Sequence, residues 1–93
     1  MNHNWFSIWY TPQPDEVIAF ISLERIAEIG GWNGLDASGH PNYVNEGNAI
    51  LSKWCRINCK SPGTPVNVRG EAAWAFKHSE DAILFKLTWG GNV

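Results

Sequence analysis

Residues 16–31, EVIAFISLERIAEIGG, decide the fold. Val17, Ile18, Phe20, Ile21 and Leu23 occupy all sides of a helical wheel and equally both faces of a strand, so periodicity alone does not separate the two. The punctuation says more. Ser22 is a good N-cap for LERIAEI, and Gly30-Gly31 suits a helix stop that needs a positive φ. The stretch therefore predicts an extended segment from Glu16 to Ile21 followed by a short helix from Leu23 to Ile29. A single helix from Asp15 to Ile29, capped by Asp15, is the alternative.

Upstream, NWFSIWYT (residues 4–11) alternates Trp5, Ser7 and Trp9 with Phe6, Ile8 and Tyr10, which reads as a strand with two apolar faces. Pro12 and Pro14 end it. Downstream, residues 32–48, WNGLDASGHPNYVNEGN, are rich in Gly, Asn, Asp, Ser and Pro and read as a long loop. Ile50, Leu51, Trp54 and Ile57 then recur at helical spacing with Lys53 and Arg56 opposite, an amphipathic helix closed by SPGTP. VNVRGEAAWAFKH (residues 66–78) is one strand bent at Gly70 or two short strands. In the last segment Ser79 is the expected cap, Glu80 and Asp81 complement the positive helix end, and Gly90 is the stop. Ile83, Leu84 and Leu87 are expected to point at the sheet.

The whole of residues 1–93 thus reads as a single small α+β domain with a mainly antiparallel sheet and two or three helices packed on one face. A chain of 93 residues has room for one core. Its six tryptophans (Trp5, Trp9, Trp32, Trp54, Trp74, Trp89) are a surplus, and each removes a large apolar area from water while keeping one N–H to satisfy.

Charge narrows the function. A net charge of −2 with only seven Lys and Arg, scattered along the chain, argues against nucleic-acid binding. No apolar run suggests a membrane span and the N-terminus lacks the pattern of a signal peptide, so a cytoplasmic location is expected. Two cysteines four apart do not make a secreted disulfide framework.

The ending WAFKHSEDAILFKLTWG (residues 74–90) resembles the C-terminal strand-helix unit of small uncharacterised proteins encoded by bacteriophages and other mobile elements. It spans 17 residues and is a folding pattern that brings no catalytic residue with it. The resemblance implies a cytoplasmic α+β protein working inside an infected or host bacterium.

The residue types bear on several chemistries. A metal site would draw on Cys55, Cys59, His3, His40 and His78, but there is no second close ligand pair, and Cys55 suits helix packing. A nucleophilic site could combine Cys59 with His40 or His78 and Asp36, without the strand-turn-helix elbow such sites use. Glu71 with Asp36 would be the carboxylate pair of a glycosidase, though nothing aligns them. The glycines of GGWNG and SPG lack the order of a phosphate loop. The expectation is therefore no enzyme, no cofactor and no metal.

What remains is a binding protein. Trp32 and Tyr43, flanked by the polar residues Asp36, His40 and Asn42, are the candidate contacts with a host or phage protein, which the chain would block sterically as an accessory or inhibitor. Trp5 and Trp9 could pair across a two-fold axis as a homodimer. The competing reading is a small-molecule binder whose pocket is lined by Trp5, Trp9, Trp54 and Trp74.

Overall fold

The computed structural model describes residues 9–35 and 40–90, and within them the stretch 16–31 divides at Ser22. Strand β1 (Val17–Phe20) precedes helix α1 (Leu23–Ile29). Ser22 has extended backbone, and its hydroxyl accepts the Arg25 N–H at 3.0 Å, satisfying one of the free donors at the helix start. Gly31, at φ +106°, provides the exit.

The elements that follow are α2 (His40–Asn58), β2 (Thr64–Val68), β3 (Glu71–Phe76) and α3 (Ser79–Trp89). Residues 32–48 are thus not one loop, because α2 already begins at His40. Two features of the sequence hid this. Pro41 sits in the first turn, where its missing N–H is not needed. Gly47 acts as a contact surface and not as a breaker, since a Cβ there would stand 1.9 Å from the Ile26 carbonyl oxygen; one at Gly30 would stand 2.1 Å from that of Tyr43. Helices α1 and α2 therefore meet backbone to backbone.

That contact sets the rotation of α2. Val44, Gly47, Asn48, Leu51 and Cys55 turn inward, while Ile50 and Ile57, expected on the buried stripe, are 42% and 70% exposed.

The sheet has the order β1-β3-β2 with both pairs antiparallel. The two-residue link between β2 and β3 is Arg69-Gly70, with φ values of +55° and +87°, the mirror-image turn that matches strand twist. Of the two readings of residues 66–78, the pair of strands holds. Ala19, Trp74 and Phe76 face the helices and join Ile26, Leu51, Cys55 and Phe85 in the main core. On the opposite face Val66, Val68, Ala73 and Ala75 form a smaller cluster against Tyr10 and Ile18.

Residues 4–8 of the expected first strand lie outside the described residues. Of the remainder, Trp9 makes one parallel bridge to Asn67, and the Tyr10 N–H donates to the Asn67 carbonyl at 2.6 Å. This segment therefore lies along the outer edge of β2. Among the described residues no helix is long and apolar enough to cross a membrane.

Candidate functional site

Helix α3 departs most from its expected orientation. His78, not Ser79, is its N-cap, and the His78 side chain makes no capping bond. Asp81 is buried to 3% exposure, where its two carboxylate oxygens accept the N–H groups of Lys60 and Ser61, each at 3.1 Å. A carboxylate held this way fixes the bend between α2 and β2 to the start of α3. With Asp81, Ala82 and Phe85 inward, Ile83, Leu84 and Leu87 are turned outward, 59%, 39% and 67% exposed. The expectation that these three aim at the sheet is overturned. Phe85 takes that place, packing on Trp74 and Phe76 at ring distances of 5.7 and 5.2 Å.

The outward side of α3 adjoins β1, an outer strand of the sheet. Between them runs a shallow groove of ≈ 390 Å³ whose walls are Val17, Ile18 and Ala19 on one side and Ala82, Ile83 and Leu87 on the other. Lys86 closes one end, its ammonium donating to the Phe20 carbonyl at 2.7 Å. Lys86 also borders a second cleft of ≈ 490 Å³, between the Phe20–Arg25 segment and the β2-β3 turn. There Phe20 and Leu23 are 43% and 39% exposed. Apolar side chains thus run from Ile83 and Leu87 to Leu23 along one border of the molecule, with Lys86 between them and Glu24 and Arg25 at the far end.

The backbone of β1 completes this border. The Ile21 N–H donates to the Ala72 carbonyl at 3.2 Å, and the β1-β3 register continues through that pair. Residues 17, 19 and 21 therefore aim their polar backbone groups at β3, and residues 16, 18 and 20 aim theirs at the open edge. Two of the outward groups are used within the chain: Glu16 N–H donates to Gln13 O at 3.0 Å, and Phe20 C=O accepts from Lys86.

The tryptophans serve mainly the core. Trp74 is fully buried, and Trp32, Trp54 and Trp89 are half-buried against the main cluster. Trp54 packs edge-on to Phe85 and Trp89, at 6.2 and 6.0 Å. Trp9 is 68% exposed beside β2, and Trp5 lies outside the described residues. Neither of the two clefts has a tryptophan in its walls. The side-chain amide of Asn48 and the ring nitrogens of Trp74 and Trp89 are buried polar groups with no hydrogen-bond partner among the described residues.

Of the proposed contact residues, Trp32 and His40 come together, their rings edge-to-face at 4.6 Å. The Trp32 backbone N–H donates to Ala27 O at 2.9 Å. Tyr43 is half-buried against Gly30 and Gly31, so this corner holds α1 to α2. Asn42 is exposed on α2, and Asp36 lies outside the described residues.

The thiols are poor candidates for chemistry. Burial pushes the Cys55 thiol up, and burial with Cys55 as neighbour takes that of Cys59 up to about 12. Neither is a ready thiolate at neutral pH. His40 begins the 19-residue α2 and Cys59 follows its end, so at 1.5 Å per residue the two stand about 28 Å apart. Among the described residues no three His, Cys, Asp or Glu side chains gather as a metal site requires. The paired groups that do exist are structural: the Tyr10 hydroxyl donates to the Glu16 carboxylate, which also accepts the Gln13 N–H at 2.8 Å.

Comparison of the chain with protein-family models, with curated proteins and with solved structures finds no match.

Proposed function

We propose that this is a non-catalytic binding protein that acts by occupying the surface of another polypeptide, with the outer face of α3 and the open edge of β1 as its contact. One observation carries the reading. A short helix spends its few buried positions on Asp81, Ala82 and Phe85 and leaves Ile83 and Leu87 in water. Large apolar side chains beside an open strand edge are the features that polypeptide partners cover. The Trp32–Tyr43 corner is less suited to this role, because its rings are engaged between α1 and α2. The resemblance of residues 74–90 to phage and mobile-element proteins adds the expectation of an accessory or inhibitory role against a host or phage protein.

The test is a photo-crosslinking residue placed at position 87 in living cells, with position 53, on the exposed polar side of α2, as control. The reading expects a polypeptide adduct from position 87 that position 53 does not give. Absence of any adduct from positions 83 and 87 would remove it.

A further inference from the structure

Resting on that reading, we propose that the occupant of the β1-α3 border is a second copy of this chain. The two β1 strands would pair antiparallel about a two-fold axis at Ile18, joining two three-stranded sheets into one.

The pattern of satisfied groups on the edge selects this partner and this register. With Ile18 opposite Ile18, Phe20 of each copy faces Glu16 of the other. In that pairing the bonds formed alternate between the two strands. One of the bonds it would call for, Glu16 N–H to Phe20 C=O, joins the two groups already engaged within the chain, by Gln13 O and by the Lys86 ammonium. The outward groups with no backbone partner among the described residues are the N–H and C=O of Ile18, the N–H of Phe20 and the C=O of Glu16. These complement themselves: Ile18 N–H to Ile18 C=O twice, and Phe20 N–H to Glu16 C=O twice. A strand from an unrelated protein would meet the same edge with two of its groups unmatched.

Charge and shape agree with the two-fold. Helix α3 starts where β3 ends, beside Val17, and reaches Phe20 at Lys86, so it runs in the direction of β1. Antiparallel pairing therefore brings each Lys86 toward the Asp15 end of the other copy's β1, and sets Ile83 against Leu87 along the helices. The edge sequence VIAF contains no charge, proline or bulge of the kind that keeps edge strands apart. Four residues offer few hydrogen bonds, and the α3 side chains supply the apolar contact the strands lack. The other outer strand differs, since Trp9 and Tyr10 already run beside β2. One consequence is competition: a copy seated on this border and a foreign polypeptide exclude each other.

The experiment is sedimentation equilibrium of the purified chain from about 1 μM to about 1 mM. It would be repeated on Ile18→Pro, which deletes an outward N–H and leaves the ladder to β3 intact, and on Leu87→Asp, at a position 67% exposed. The expected result is a species of twice 10.4 kDa whose dissociation constant rises about 100-fold or more in either variant, the scale of losing two hydrogen bonds or a buried apolar contact. A monomer throughout the range would overturn the inference, as would a dimer indifferent to both substitutions. In either case, a foreign adduct from position 87 would leave the binding reading standing.

Discussion

Replacing Asp81 by Ala tests whether α3 is oriented by its buried carboxylate. Asp81 is 3% exposed and accepts two backbone N–H groups, from Lys60 and Ser61. Hydrogen bonds to a charged acceptor contribute about 1.5 kcal/mol or more each, so their joint loss should cost about 3 kcal/mol, a large part of the stability of a small domain. Asp81→Asn keeps one acceptor oxygen and should cost about half of that. Urea unfolding followed by tryptophan fluorescence gives both values. The neighbouring Glu80 is the control. Its 3.5 Å pair with Lys60 is exposed on both sides, and surface pairs of this kind contribute about 0–1 kcal/mol. If Asp81→Ala lost no more than Glu80→Ala, the two N–H groups would be as well served by water, and the account of why Ile83 and Leu87 face outward would fail.

Gly47→Ala should destabilise the fold by about 3 kcal/mol, because the new methyl group would meet the Ile26 carbonyl at 1.9 Å; a gain near 1 kcal/mol in thermal melts, normal for an exposed helix glycine, would refute the close approach. Arg69→Asn should stabilise by about 0.5–1 kcal/mol, since Arg69 holds φ +55° in the hairpin turn where Asn rests with less strain, and an unchanged melt would count against that turn geometry. The hydrogen bond from Tyr10, with that from the Gln13 N–H, holds the Glu16 carboxyl below its ordinary value. Its stabilising effect is therefore present above the unfolded carboxyl's titration and fades as pH falls through the lowered folded value. In Tyr10→Phe the Glu16 titration seen by NMR should move up, and no movement would refute the clasp.

Local signals in the sequence mark several of the helix ends. Ser22 and Gly31 mark the two ends of α1 through their own backbone neighbours, and the strand-then-helix reading of residues 16–31 follows from them; helix α3 stops at Gly90 as its sequence suggests. The start of α2 was hidden because its decisive interaction is distant: Gly47 and Asn48 look like loop residues until α1 lies against them. Ser79 is a local signal that fails: His78 takes the cap position, and Asp81 in the first turn is committed to Lys60 and Ser61, some twenty positions earlier in the chain. Asp36 and Trp5, candidate site residues on sequence grounds, lie outside the described residues.

The border of β1 and α3 was illegible for a different reason, and that reason bears on function. Residues 82–89 of α3 carry Ala82, Ile83, Leu84, Phe85, Leu87 and Trp89, apolar groups on every side of the helix. A helix apolar all round belongs in a buried setting. Segment 17–21 has the same character for a strand, apolar on both faces. Read from the sequence, all of this apolar surface belongs to one core, yet the three helices and three strands among the described residues cover only one side of α3 and one edge of β1. The surplus on both elements falls on the same border. Its composition suits a covered surface, and among the described residues no further element remains to cover it.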